Sequence, residues 1–374
     1  MSAEPWISSK SAMNSRGQSP ELSHPPRVTV LMPVYNGAAY LRQAVDSILS
    51  QTLADFEFLI VNDGSTDDSR AMVTSYRDPR IRILDNPENI GITRSLNRGL
   101  AEARGELIAR QDADDVSHAT RLAKQTAFMD AEPGVVALGA QARSISIHGK
   151  TIRTYGWDKL RSDQGLRWQI MFDSAFVHTS VMFRRSIVWG TERGYDETFI
   201  TSQDFELWSR LSRRNKLRNL PDVLVDVRQH PKSVSANYKE DKIARIRGVL
   251  RANLGANLPD YPNPEDWVEL WIRLNNQRVH TFRDGNLGVL GHILRIRSMY
   301  LTRFPEMQSE PEIDWHTAAL LVRGAFAMAA VDSSSAFRMA RHAVRYDPTL
   351  AFAAAPRLIG KVLRDLVARR ASAQ

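Results

Sequence analysis

Val28-Thr29-Val30-Leu31-Met32-Pro33-Val34-Tyr35-Asn36-Gly37 is the stretch on which the reading of this chain turns. Its first seven residues form a continuous apolar, β-branched run, which predicts a strand buried on both faces, as in a parallel sheet. Tyr35-Asn36-Gly37 is a turn signal. Working outward, Leu41, Val45, Ile48 and Leu49 fall at helical spacing over 38–50, and Phe56 to Val61 is a second buried strand closing on Asn62-Asp63-Gly64-Ser65-Thr66-Asp67. A helix over 68–76, a strand over 81–84, a loop over 86–91, a helix over 93–103 and a strand over 107–111 continue the pattern. Strands alternating with helices in this way predict an α/β layered domain with mostly parallel strands.

The fourth strand runs into Arg110-Gln111-Asp112-Ala113-Asp114-Asp115, three carboxylates in four residues. Carboxylates this close repel one another, and the ordinary remedies are a hard metal ion or full exposure to water. Both readings stay open on the residues alone. Open α/β sheets bind ligands beyond the carboxyl ends of their strands, which is where Tyr35, Asp63 and Asp112 to Asp115 all fall. No Gly-x-Gly-x-x-Gly follows the first strand and no Gly-Lys-Ser/Thr occurs, so neither a dinucleotide fold nor a P-loop is supported.

Beyond these motifs come short strands at 135–140, 180–183 and 223–227, and a helix beginning near Ser202-Gln203-Asp204, with Ser202 or Asp204 available as its N-cap. A polar loop from Arg228 to Ser235, containing His230, is expected to close this domain near residue 237. Helical patterns then take over at 243–254, 267–274, 284–300, 315–331, 334–346 and 356–369. The expected organisation is a disordered tail over 1–26, an α/β domain over 27–237 and a helical region over 238–374, each of the latter two with its own core.

With 374 residues, 43% hydrophobic and 25% charged, the composition is that of a globular protein. The absence of cysteine excludes disulfides, thiolate metal sites and a cysteine nucleophile. No signal-like apolar segment opens the chain, and the longest apolar run, Thr317 to Val331, is interrupted by Arg323, so a cytoplasmic protein is expected. A formal charge of +8 favours anionic partners. Arg210, Arg213, Arg214, Lys216 and Arg218 read as a solvated helix face without interleaved aromatics, which argues against nucleic acid. Residues 356–370 form a basic amphipathic helix that either lies on an anionic membrane or packs on its own domain.

Five spaced motifs together resemble one family. They are Pro33-Val-Tyr-Asn-Gly37, Val61-Asn-Asp-Gly-Ser-Thr-Asp-Asp68, Asn89-Ile-Gly91 through Asn97-Arg-Gly99, Asp112-Ala-Asp114-Asp115, and Gln203-Asp204-Phe-Glu-Leu-Trp208. The chain over about residues 27–235 is similar to the inverting glycosyltransferases of GT-A fold, the family 2 type of bacterial polysaccharide synthesis. The resemblance implies a mixed, mostly parallel sheet flanked by helices that binds a nucleotide sugar. It implies that Asp114 holds Mg²⁺ or Mn²⁺ against the donor diphosphate, that Asp112 meets the ribose or a metal-bound water, and that Asp63 accepts from the uracil ring N–H. Pro33 and Tyr35 would line the base, and Arg94 would offset phosphate charge unless it is an exposed helix residue. Asp115 would cap the next segment, and His178 and His230 are either ligands to metal or diphosphate or ordinary polar residues.

Asp204 resembles the base that deprotonates the acceptor hydroxyl. Where the family usually has Glu-Asp, this chain has Gln203-Asp204, and loss of the neighbouring charge should by itself lower the pKa of Asp204. The function implied is metal-dependent, inverting transfer of a sugar, most simply from a UDP-sugar, to a glycan or lipid-linked acceptor in bacterial surface polysaccharide assembly. The alternatives are a nucleotidyltransferase, and a catalytically silent scaffold that binds sugar nucleotides.

Overall fold

A computed structural model of the chain describes residues 25–154, 159–231, 239–275, 288–329 and 332–372. Residues 1–24 of the expected tail, and the expected domain end near 237, lie outside the described residues. The α/β part runs β1 (Val28–Val34), α1 (Ala38–Leu49), β2 (Phe56–Asp63), α2 (Ser69–Ser75), β3 (Ile81–Asn86), α3 (Ile92–Glu102), β4 (Leu107–Arg110), β5 (Val116–Ser117), α4 (Arg121–Ala131), β6 (Val135–Ile145), β7 (Thr151–Thr154), α5 (Asp163–Ile170), β8 (Met182–Arg184), α6 (Gln203–Ser212) and β9 (Lys216–Arg228). Among the described residues six α-helices follow: α7 (Lys239–Asn257), α8 (Pro264–Asn275), α9 (Val289–Arg303), α10 (Pro311–Met328), α11 (Ser333–Tyr346) and α12 (Pro348–Ser372). Helices α4 and α5 are additional to the elements expected from the sequence.

The strands form one mixed sheet in the order β3-β2-β1-β4-β8-β6-β9-β5, with β7 paired to β6. β3, β2, β1 and β4 run parallel, β8 enters antiparallel to β4, and β9 lies parallel to β6. β1 is therefore central, which explains why it is buried at every position. Its side chains alternate between two cores: Val28, Val30, Met32 and Val34 join α1, α2 and α4 on one face, while Leu31 joins α3 and α6 on the other.

Pro33 would ordinarily be excluded from a central strand, because it has no N–H for the ladder. Leu31 O accepts from Gln111 N, so alternate residues of β1 point their peptide groups toward β4, and Pro33 is the next of these. β4 leaves the ladder at Arg110, opposite Leu31, so no bond is lost at Pro33.

The two cores divide by sheet face rather than by domain, because the apolar residues of the helical region join the α3/α6 side. Specific bonds fasten it there. Asn253 of α7 donates to Ile170 O (2.9 Å) and Ser209 Oγ (3.0 Å), and Trp271 of α8 donates to Phe172 O at 2.6 Å. Glu312 of α10 accepts from the Arg161 and Ser162 backbone, and Gly165 leaves it room, since a Cβ there would sit 2.0 Å from Glu312 Oε2.

Gly64, in the turn after β2, has φ +66°, and a Cβ on it would lie 2.5 Å from the Glu88 carbonyl carbon. Both the left-handed backbone and the fixed neighbouring main chain oppose any side chain. Gly64→Ala should destabilise the protein by about 1–3 kcal/mol, read as a lower urea midpoint. An unchanged midpoint would show that this turn is not constrained.

Candidate active site

Because β3, β2, β1 and β4 are adjacent and parallel, their carboxyl ends bring Asn86, Asp63, Tyr35 and Asp112 to one edge of the sheet. The loops there are bonded to one another. Asn36, in a left-handed conformation (φ 50°), accepts from Thr66 N at 2.8 Å, and Asp67 Oδ2 accepts from Ala38 N at 3.1 Å, so the first two turns are cross-linked. Tyr35 is left 50% exposed beside them, available to lie along a planar ligand.

Asp63 is buried and already engaged. It accepts from Asn86 Nδ2 (2.7 Å), Ile90 N (2.9 Å) and Gly91 N (3.0 Å), which uses three of the roughly four lone-pair sites of a carboxylate. Its first task is to shape the Asn89-Ile90-Gly91 loop that opens α3. Arg94, two residues into α3, is 61% exposed and pairs only loosely with Glu197 (3.4 Å), in keeping with a helix-surface residue near the crevice.

The acidic loop rests on guanidinium groups. Arg110 is buried, and its Nη2 donates to Asp112 Oδ1 at 2.6 Å while its Nε has no partner. Beneath it, Arg121 of α4 donates to Gln111, Ser117, Gln125 and the carbonyls of Arg110 and Val181, so all five of its N–H groups meet neutral acceptors. Burial, with Arg110 nearby, pushes the Arg121 guanidinium down to about 9, which leaves it charged at neutral pH. From β9, Arg228 gives its backbone N–H to Asp115 (2.9 Å) and its Nε to Asp114 O (3.0 Å), and stacks over Tyr40 at 4.8 Å.

The three carboxylates differ in surroundings. Asp115 is buried, and burial together with Asp114 and Asp112 raises its pKa well above the usual carboxylate range. It is an internal tie to β9, not the cap of an exposed segment. Asp114 is partly open, raised by burial and by Asp112, with His230 Nε2 lying 2.8 Å from its Oδ2 and opposing that rise. Asp112 faces the crevice, its amide donating to Thr179 Oγ1 at 3.0 Å. Among the described residues no group of three or more His, Asp or Glu side chains forms a metal cage.

Asp204 occupies the second position of α6, where the backbone N–H groups of Phe205 and Asp204 favour its charged form. Ser202 precedes the helix in a left-handed conformation without a side-chain cap, so neither candidate residue caps α6 in the expected way. The carboxyl is raised, not lowered: burial outweighs those N–H groups and the cation of Lys242 on α7, and Asp112 adds repulsion. The expected effect of Gln203 is thus overtaken by desolvation. Lys242, unseen by motif reasoning, also acts on Asp173, so the helical region contributes charge to the site.

His178 is half-buried and engaged with Tyr195. Its Nε2 is 2.9 Å from Tyr195 Oη, and burial followed by Arg110 drives its pKa well below normal, leaving a neutral imidazole. Asn97 pins Tyr195 through both backbone groups, at 2.8 and 2.9 Å. Trp208 closes the back, edge-on to Phe176. Arg210 is not solvated as expected, since it grips Glu206 and the Glu192 and Gly194 carbonyls.

A family model described as glycosyl transferase family 2 matches residues 29–191. The O-antigen biosynthesis glycosyltransferase WbnJ of Escherichia coli is 30% identical over 232 residues, covering 60% of this chain and 89% of that protein. The amylovoran biosynthesis glycosyltransferase AmsE of Erwinia amylovora is 30% identical over 210 residues, 54% of this chain and 75% of that one. Among solved structures, S. aureus TarS 1–349 in complex with UDP superposes with TM-score 0.51 at 16% identity, covering 92% of each chain, a likeness of fold.

Three donors of its own and neighbouring loops converge on the buried Asp63 carboxylate. Asp63→Ala should lower stability by about 1–3 kcal/mol, the cost of leaving buried N–H groups unpaired, measured by urea denaturation. Unchanged stability would mean that the Asn89–Gly91 loop does not depend on this carboxylate.

Proposed function

Since the chain belongs to glycosyltransferase family 2, we propose that it moves a sugar from a UDP-sugar to a hydroxyl of a glycan or lipid-linked acceptor, with inversion, during assembly of a surface polysaccharide on the cytoplasmic side of a membrane. The observation that carries the reading is Asp204: a desolvated carboxyl in the first turn of α6, its pKa raised by burial and by the charge of Asp112 from the sheet's carboxyl edge. The names of the relatives support polysaccharide assembly, and the UDP of the fold neighbour supports a uridine donor.

In this reading Tyr35 lies along the base, in the space beside Pro33 and the bonded turns, and Asp63 offers its remaining lone pair to the ring N–H. Asp112 takes the ribose, oriented by Arg110 and Thr179. The residues fit a divalent ion shared with substrate. Asp114 provides a hard oxygen donor destabilised by a like charge, and the diphosphate and water would supply further ligands. Mg²⁺ or Mn²⁺ bound there would supply charge neutralisation of the leaving diphosphate. His230 holds the Asp114 carboxylate in place. Arg94 adds long-range positive charge at the start of α3.

Asp204 accepts the proton of the acceptor hydroxyl as that oxygen bonds to the anomeric carbon and the bond to the phosphate oxygen breaks on the opposite face. Only the ionised carboxylate can do this. Because its pKa is raised, the rate should decline on acidification through a limb lying above the value of about 3.9 for a free aspartate. A nucleotidyltransferase would release pyrophosphate and have no use for this base, and a silent scaffold would bind donor without turnover. Analysis of products separates all three.

Asp204→Asn preserves shape but removes the proton acceptor, so donor binding should survive while transfer falls by about 10² to 10⁴. Near-normal transfer, or a product that keeps the donor's anomeric configuration by NMR, would sink the assignment. UDP binding should weaken at least tenfold with chelator, and Asp114→Ala should abolish that difference. Calorimetry showing equal affinity with and without chelator would remove the metal from the account.

A further inference from the structure

The sequence pattern over 356–370 is that of a basic amphipathic helix with Leu358, Ile359, Val362, Leu363, Leu366 and Val367 as its apolar residues, which either lies on a membrane or packs on its own domain. The structure turns Leu358 and Val362 inward, where they are buried in the core, and leaves Ile359 out. The exposed apolar surface is instead shared by two helices. Of the eight large hydrophobic residues exposed among the described residues, four lie here: Phe337 (48%), Val344 (36%), Phe352 (66%) and Ile359 (47%). The spacings of seven between Phe337 and Val344, and between Phe352 and Ile359, put each pair on one side of its helix. Buried Ala336, Met339 and Ala343 on α11, with Ala351, Leu358 and Val362 on α12, face the opposite way, toward α10.

The charge around these residues is mainly positive. From Asp332 to Val362 the chain carries Arg338, Arg341, Arg345, Arg357 and Lys361 against two acids, Asp332 and Asp347, and Asp332 caps α11 and lies 4.0 Å from Arg338. Asp347 is drawn off the surface: it caps α12 through Leu350 N at 2.8 Å, approaches Lys159 and is 16% exposed. Arg341, Arg345 and Arg357 are exposed and make no ion pair with described residues. Arg341 lies between Phe337 and Val344, so cations and apolar groups occupy the same stripe. A face meeting only water has no need of exposed phenylalanines, and a protein groove would have to supply acids at several separate points. A bilayer with anionic headgroups offers negative charge everywhere and apolar depth beneath it.

We propose that the outer face of α11 and α12 is a membrane-docking surface for an anionic phospholipid bilayer, with Phe337, Val344, Phe352 and Ile359 entering the headgroup boundary and Arg341, Arg345 and Arg357 meeting phosphates. No helix among the described residues is long and apolar enough to span, so the contact is peripheral. The inference deepens the reading of a lipid-linked acceptor, and rests on it for its purpose though not for its chemistry.

The test is co-sedimentation of the full chain with vesicles of phosphatidylcholine alone or with 30 mol% phosphatidylglycerol (about one anionic lipid in three). Binding is expected to the second only, weakening as salt rises. Phe337→Ser with Phe352→Ser and Ile359→Ser, and separately Arg341→Gln with Arg345→Gln and Arg357→Gln, should each weaken partition at least tenfold. Both should retain the parent's melting temperature and donor-dependent transfer to a water-soluble acceptor. The idea is overturned if the parent ignores anionic vesicles at low salt, or if both folded variants bind them as the parent does. It is equally overturned if sedimentation velocity shows that the serine variant dissociates an oligomer while vesicle binding persists, for the face would then join copies of the chain. Loss of transfer with intact vesicle binding would strike the proposed activity and leave the docking surface standing.

Discussion

Three carboxylates are held within four residues of chain at the end of β4, and the rest of the site is built around making that tolerable. Two guanidinium groups lie beneath them. Arg110 pairs with Asp112, while Arg121 spends its five donors on neutral oxygens and fixes the backbone from which the loop departs. Taking such charges out of water is costly, by several kcal/mol for each isolated ion, unless hydrogen bonds replace the lost solvation. Arg121 meets that condition in full. Arg110 does not, since its Nε is unpartnered. A buried cation with a donor to spare, directly behind Asp112, leaves positive potential in the crevice where the reading of this site puts a diphosphate.

The same constraint divides the labour among the acids. Asp115 faces inward and ties the loop to β9, Asp114 faces outward against His230, and Asp112 lies between them on Arg110. Identical side chains thereby acquire different proton affinities from burial and neighbours alone. Tyr40 supports the outer side of this arrangement, packed under both Arg228 and His230.

The helical region is part of this construction and no mere appendage. Its aromatic residues Trp267 and Trp271 meet Phe172 edge-on, next to Trp168 and Tyr300, and His316 is buried among them with its pKa pushed down to about 3 by desolvation. Through this seam α7 is set against α6, so that Lys242 bears on Asp204.

Much of the fold was legible because local chemistry dictated it. The apolar run of β1, the Asn62-Asp63-Gly64 turn and the three-carboxylate loop each have few conformational alternatives, and their order requires parallel strands with polar residues at one edge. The six C-terminal helices were likewise visible from periodicity. Helix α4 was not, because Arg121 and Gln125 are polar residues that point inward, and period reading treats them as solvent-facing. What the sequence by itself determined is which groups the candidate site offers: Asp63, Asp112, Asp114 and Asp204 on loops and helix starts after buried strands. Only the tertiary structure decided their states. Asp63 is bound by its own loop, Asp204 is raised where a lost neighbouring charge should have lowered it, and the outward apolar stripe falls on Phe337 and Phe352. The physical reason is the same in each case: burial and the dielectric around a charge depend on residues distant in sequence, such as Lys242 or Arg228, which no local pattern brings together.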